Sequence, residues 1–302
     1  MTGKTVAIVL NYNDYLQTIQ FVKHIEKYAS IHYIIVVDNG SLNNSLEELC
    51  NIKNDKVYVI KSNRNLGYGK GNNLGMKYGV HQFDPEFFII ANPDVFFEEK
   101  AVTAAIKLLK KDTSIGMVAP RMVSHGGTRT LPAWRLPGKM DMYLNNFILL
   151  RKCLRLLEYP ESFLKKTICE VDVLPGSLLF CRTEVMREVG YFDKDTFLYG
   201  EENILAFKMK EKGYRNILMT QIHYDHLHGK TIQKEITSVR KRFYLCLQGY
   251  KVYMRKYLKM NCLETAVFSF TFHLGVWNYL ILIGIKDCVK KAWIDEKNKN
   301  RK

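Results

Sequence analysis

The stretch Phe87-Phe88-Ile89-Ile90-Ala91-Asn92-Pro93-Asp94-Val95 passes from strand to turn within a few residues. Phe and Ile at 87–90 favour a buried extended strand. Pro93 has no N–H for a sheet ladder, so the chain must leave the sheet there. The carboxylate of Asp94 then sits just beyond the carboxyl end of a strand, the edge at which open α/β sheets bind ligands. A carboxylate at that edge could hold a divalent cation over a diphosphate. The same tripeptide also reads as a plain turn capping a helix that begins near Phe97.

Outward from this segment, strand and helix patterns alternate. Val6–Leu10, Tyr33–Val37, Val57–Ile60, Phe87–Ala91 and Gly116–Ala119 read as strands. Helical stretches near Asp14–Tyr28, Leu42–Cys50, Lys70–Val80 and Glu98–Lys110 lie between them. The alternation predicts an α/β fold with a mostly parallel sheet flanked by helices. Arg121–Glu170 is less regular and reads as an insertion over the active-site edge. Order returns with a strand at Leu178–Cys181, helices at Thr183–Val189 and Glu201–Lys212, and a strand at Arg215–Thr220.

The net charge of +15 calls for an anionic partner: a sugar nucleotide, a lipid phosphate, a membrane surface or a nucleic acid. Seven cysteines form no Cys-x-x-Cys pair and no zinc pattern, which suits a reducing compartment. The apolar run Val6–Leu10 is too short for a signal peptide and reads as a first buried strand.

Several further groups could carry chemistry. Asp38, in Val36-Val37-Asp38-Asn39-Gly40-Ser41, could accept hydrogen bonds from a ribose or a base, or serve as a turn and helix cap. Asn65–Gly75 is glycine-rich and precedes a helix, a setting that favours backbone approach and anions. Its spacing matches neither a Walker A loop nor a dinucleotide fingerprint. Glu201 and Glu202 stand at a helix start, where one could act as a general base or both could complement the helix dipole. In Tyr224-Asp225-His226-Leu227-His228, alternate residues share a strand face and could supply a metal ligand.

The last third changes character. Between Lys230 and Lys259 basic residues outnumber acidic ones and aromatics are interleaved; Thr265–Ile285 holds no Asp, Glu, Lys or Arg. That run is long enough for a bilayer span. His273, Asn278, Ser269 and two glycines speak instead for a buried helix pair or an interfacial helix.

The ordered set Val6–Asn13, Val36–Ser41, Asn65–Asn73, Asn92-Pro93-Asp94, Gly176–Arg182, Gly190–Asp193, Phe197–Glu202 and His226 resembles the inverting family 2 glycosyltransferases of GT-A (Rossmann-like) fold. It is most similar to the bacterial rhamnosyltransferase-like branch that builds O-antigen and capsule. The resemblance implies a glycosyltransferase domain over 1–232, with a donor-binding half at 1–120 and an acceptor half at 121–232. A helical, membrane-associated region would follow at 233–302. It implies that Asp38 binds base or ribose, and that Asn11, Asn65, Gly67, Asn72 and Asn92 line the donor site. Asp94, with His226 beside it, would hold Mg²⁺ or Mn²⁺. Glu202 would be the catalytic base, with Glu201 as its competitor for the role.

Two positions depart from the family pattern: Asn92 replaces the first acid of the metal motif, and Glu202 replaces Asp. A single carboxylate can still serve Mg²⁺, which often takes only one or two carboxylates plus phosphate oxygens and waters. The implied partners are a nucleotide diphosphate sugar, a polyprenyl-diphosphate-linked saccharide and an anionic membrane surface, with no nucleic acid. The implied location is cytoplasmic, peripheral on the inner face of the cell membrane. The competing readings are a sugar nucleotidyltransferase, disfavoured by Asn11-Tyr12-Asn13-Asp14 after the first strand, and a non-enzymatic module that binds anionic membrane or nucleic acid.

Overall fold

The computed structural model describes residues 3–123, 131–147, 154–226 and 238–299. Leu227, His228, the 232/233 boundary and parts of the 121–170 stretch lie outside the described residues. The strands are β1 Thr5–Asn11, β2 Tyr33–Asp38, β3 Val57–Lys61, β4 Phe87–Ala91, β5 Val95–Phe96, β6 Ile115–Val123, β7 Ile168–Val171, β8 Leu178–Arg182 and β9 Arg215–His226. The helices are α1 Tyr15–Ile25, α2 Ser45–Cys50, α3 Tyr68–Phe83, α4 Glu99–Lys111, α5 Lys139–Leu144, α6 Thr183–Glu188, α7 Glu201–Glu211, α8 Val239–Val252 and α9 Cys262–Lys299. The chain forms two compact units, one of residues 1–136 and 158–253, the other of 137–157 and 254–302.

The first unit is built on one sheet of order β3-β2-β1-β4-β8-β6-β9-β5, with β7 paired to β9. The parallel pattern expected from βα alternation holds for β3-β2-β1-β4 and for β6 with β9. β8 enters antiparallel between β4 and β6, and β5 and β7 run antiparallel to β9. Both faces are covered, so β1, β2 and β4 read as continuous apolar runs. Ala7, Val9, Ile34, Val36 and Ile89 face one core with Phe21 and Val22 of α1 and Val102 of α4. Val6, Ile8, Ile35, Val37 and Ile90 face a second core with Met76 of α3.

Helix α3 seats on the sheet through a glycine stripe. A Cβ on Gly71 would lie 2.5 Å from Leu10 Cδ1, one on Gly75 2.7 Å from Ile8 Cγ2, and one on Gly79 3.0 Å from Ile35 Cδ1. Two of the glycines expected to approach a ligand, Gly71 and Gly75, are therefore spent on helix–sheet packing.

The chain leaves the sheet after Ala91, as Pro93 requires, and helix α4 starts only at Glu99. Between them, Val95 and Phe96 add a two-residue strand beside Asp225 and His226.

In the second unit α5 packs on α9. Lys139 pairs with Glu264 at 2.9 Å, the Tyr143 hydroxyl donates to the Glu264 carbonyl at 2.8 Å, and Asn146 Nδ2 donates to Thr271 Oγ1 at 3.0 Å. Gly275 lets the Asn146 backbone approach, since a Cβ there would stand 2.0 Å from its carbonyl oxygen. Of the readings open for Thr265–Ile285, the span is not supported: among the described residues no helix is long and apolar enough to cross a membrane.

Gly75→Val should overpack the α3 seat, because Ile8 and Val37 are buried and branched and have nowhere to move. The expected loss is about 1–3 kcal/mol of unfolding free energy, measured by urea denaturation.

Candidate active site

The carboxyl ends of β1, β2, β4 and β9 share one edge of the sheet, because β8 reverses direction between β4 and β6 and β6 runs parallel to β9. At the end of β2, Asp38 is 3% exposed. Its Oδ1 accepts from Asn11 Nδ2 at 2.9 Å and from the Ser41 hydroxyl at 2.5 Å, and its Oδ2 accepts from the Ser41 N–H at 3.3 Å. Asn11 is wholly buried and its Oδ1 accepts from Thr18 at 2.8 Å. Its amide is therefore committed to aiming Asp38. A buried carboxylate held by fixed donors keeps one orientation at the sheet edge.

Asn39 ties this strand end to the next loop. Its Nδ2 donates to Asn65 Oδ1 and to the Gly67 carbonyl, each at 3.2 Å, while its Oδ1 accepts from the Leu66 N–H at 3.0 Å. Asn65 Oδ1 also accepts from the Gly67 N–H at 2.9 Å. Gly67 has φ +82°, and a Cβ there would lie 2.1 Å from the Phe197 carbonyl oxygen. Asn72 is buried, its Nδ2 bonded to the Tyr68 carbonyl at 3.0 Å. Asn73 makes a two-way tie to the Phe192 backbone at 2.9 and 3.0 Å. Among the residues expected to line a donor site, Asn11 and Asn72 thus act from inside the protein, and the Gly67 backbone abuts the Phe197 turn.

Asp94 is 7% exposed. The β5–β9 pairing brings His226 to it, with Nε2 3.2 Å from Asp94 Oδ1. Asn92 is half-buried; its N–H bonds the Ser177 carbonyl and its carbonyl accepts from the Val95 N–H, which shapes the turn. Among the described residues no third His, Cys, Asp or Glu joins the pair.

Glu201 and Glu202 open α7 after two left-handed residues, Tyr199 at φ +71° and Gly200 at φ +88°. Glu201 is 3% exposed, and its Oε1 has no hydrogen-bond partner among the described residues. Burial, reinforced by the charge of Glu202, pushes its carboxyl up to about 8. Burial raises Glu202 as well, but the backbone N–H groups of Glu202 and Gly176 favour its charged form. Glu202 is only half-buried. Of the two, Glu201 is the better proton holder and Glu202 the better anion.

Residues to which the motifs gave no role complete the setting. The Tyr68 hydroxyl donates to the Gly176 carbonyl at 2.5 Å, and the Ser177 and Tyr224 hydroxyls bond at 2.7 Å. Burial drives both tyrosine phenols up, and the carboxylates of Asp94 and Glu202 add to the effect at each. Cys246 of α8, pushed up to about 12 by burial, feels Glu201 and Glu202. A separate groove of about 580 Å³ opens at the opposite edge, where β1 and β2 begin, beside Thr5, His32, Lys107 and Lys110. It holds none of these acids.

A half-parallel sheet with carboxylates gathered at its carboxyl edge defines an α/β protein whose ligand edge is that one. The chain belongs to glycosyl transferase family 2, whose model matches residues 6–164. It is 24% identical over 233 residues to the low-salt glycan biosynthesis hexosyltransferase Agl10 of Haloferax volcanii, covering 77% of this chain and 68% of that protein. It is 23% identical over 229 residues to the N-acetylglucosaminyl-diphospho-decaprenol L-rhamnosyltransferase of Mycobacterium tuberculosis, covering 71% of this chain and 74% of that one. In fold it is similar to the crystal structure of GalNAc-T7 with UDP, GalNAc and Mn²⁺, with TM-score 0.57 and 16% identity over 75% of this chain. The chain spans 44% of the length of GalNAc-T7, and at that identity the likeness concerns the fold, a GT-A glycosyltransferase fold.

Glu201 generates a pH test. Its carboxyl, ordinarily at 4.5, titrates at about 8 in the folded protein. Folding therefore keeps its full strength below the unfolded value and weakens as pH rises toward the folded one. Wild-type stability should fall between pH 5 and pH 9 relative to Glu201→Gln, by up to a few kcal/mol. Urea melts at several pH values read the difference, and parallel curves for the two proteins would contradict it.

Proposed function

We propose that the protein is an inverting glycosyltransferase that moves a hexose from a nucleotide diphosphate sugar to a hydroxyl of a lipid-linked glycan. The observation that carries this reading is one sheet edge holding Asp38, Asp94 with His226, and the Gly176 turn whose N–H faces Glu202. The decaprenol-linked substrate in the name of the mycobacterial relative supports a polyprenyl-diphosphate-linked saccharide as acceptor and rhamnose as a donor sugar to test first. Surface-polysaccharide assembly is the setting such an acceptor serves.

Asp38, aimed by Asn11 and Ser41, accepts hydrogen bonds from the nucleoside. Asn65 and the loop around it border the donor, with Asn92 shaping the turn below. Asp94 and His226 fit a divalent cation: a carboxylate oxygen and an imidazole nitrogen converge within 3.2 Å. Two protein ligands leave the remaining positions to diphosphate oxygens and water, as Mg²⁺ and Mn²⁺ accept. Such an ion would offset the charge that builds on the departing diphosphate.

Glu202 takes the proton of the acceptor hydroxyl. The hydroxyl oxygen forms its bond to the anomeric carbon on the face opposite the diphosphate, and the breaking bond leaves its electron pair on the diphosphate. Glu201, holding a proton, keeps a second negative charge away from the base. Tyr68 holds the Gly176 carbonyl and so limits the rotation of the preceding peptide, whose Gly176 N–H is directed at Glu202.

Glu202→Gln should lower kcat by about 10²–10⁴-fold with little change in donor affinity, read by nucleotide release from a panel of nucleotide sugars. Full turnover by that variant, or retained anomeric configuration in the product, would sink the mechanism. Asp94→Ala should cost about 10²-fold or more in metal-supported kcat/KM. In Tyr68→Phe the Gly176 peptide loosens and Glu202 loses donor strength. The acidic limb of the rate profile should then move to higher pH, while a superimposable profile would show that Tyr68 does not position the base.

A further inference from the structure

Helix α9 is turned inside out for a helix in water. The face that packs within its own unit carries Thr265, Ser269, Thr271 and Gly275 beside Phe268 and Phe272. The Thr265 and Ser269 hydroxyls satisfy themselves on the carbonyls of Asn261 and Thr265, and Thr271 on that of Phe268. The outward face carries Leu263, Val267, Phe270, Leu274, Trp277 and Ile281, with Phe270 65% and Trp277 66% exposed. These six recur at alternating steps of four and three residues over about 27 Å of helix. A contiguous apolar patch of this extent marks an interaction surface.

Two occupants fit such a stripe: a second helix or lipid. A helical seam in water is flanked by charged residues that set partner and register. Here the flanking positions are Glu264, Ala266, Thr271, His273, Asn278 and Leu280; the single charge, Glu264, is paired with Lys139 inside the unit, and no Asp, Glu, Lys or Arg occurs from Thr265 to Ile285. Small residues at the contact, such as Gly275, and a polar bond across it, from the Asn146 amide to the Thr271 hydroxyl, are packing habits of helices in lipid. The charge agrees: segments 137–157 and 254–302 hold fourteen Lys and Arg against five Asp and Glu. A segment of basic composition that carries an apolar helix face complements anionic headgroups.

We propose that the outward face of α9, from Leu263 to Ile281, lies in the plane of an anionic membrane with its apolar side chains below the headgroups. It is an insertion surface, not a span, consistent with the absence of a membrane-crossing helix among the described residues. The surface stands apart from the catalytic reading and its test needs no turnover.

The test is flotation of the full-length protein with vesicles of phosphatidylcholine alone and of phosphatidylcholine mixed with phosphatidylglycerol. Wild type should float with the mixed vesicles and weakly with the neutral ones. Phe270→Asp combined with Trp277→Asp should cut flotation by about tenfold or more at an unchanged melting midpoint, since both side chains are exposed. Leu16→Asp, at a 62% exposed apolar position on α1, should float like wild type. Undiminished flotation of the double variant, or none for wild type, overturns the proposal. A wild-type dimer that the two substitutions make monomeric, without vesicle binding, would assign the face to a second copy of the chain.

Discussion

The turn from Phe197 to Glu202 is held by two close backbone approaches and one side-chain approach, each made possible by a glycine from a different part of the chain. Gly67, before α3, lets the chain pass against the Phe197 carbonyl; a Cβ on Gly249 of α8 would stand 2.0 Å from the Tyr199 carbonyl; Gly176 leaves room beside the Glu202 carboxylate. The Tyr68 N–H adds a 2.9 Å bond to the Phe197 carbonyl. Side chains at any of these glycines would push the acid pair away from the sheet edge. The geometry of the acid pair therefore rests on segments separated by tens to more than a hundred residues, which explains how the strained left-handed Tyr199 is held beside Gly200 at the start of α7.

That clamp also accounts for the electrostatics. Crowding removes water from Glu201 and raises its pKa, while the Gly176 peptide supplies a donor to Glu202 and to no other carboxylate of the pair. Two adjacent acids of equal chemistry are thereby separated into a proton holder and an anion by what surrounds them. On the other side of the edge, the two-residue strand β5 does corresponding work, since only its pairing with β9 brings His226 to Asp94.

Helix α8, basic and aromatic in sequence, belongs to the first unit and packs through Gly249 against the Phe197–Glu202 turn. The exposed apolar surface lies instead on α9. Side chains of the same types occur in both helices; what separates them is which face finds a partner within its own unit.

By itself the sequence determined the α/β alternation, the β1–β4 strands and the placing of Asp38 and Asp94 at strand ends. These signals are local: buried parallel strands are continuous apolar runs, and proline and Asn-Gly-Ser end them. It also carried the order of motifs on which the family resemblance rests. Tertiary structure alone decided that β5 and β7 exist, that β9 runs on to His226, and that the α3 glycines pack on the sheet. It alone decided that Tyr68, Asn39, Ser177, Tyr224 and Cys246 belong to the site. The physical reason is distance along the chain: the Tyr68–Gly176 bond joins residues 108 apart, and neither residue carries a periodic or compositional mark of the other.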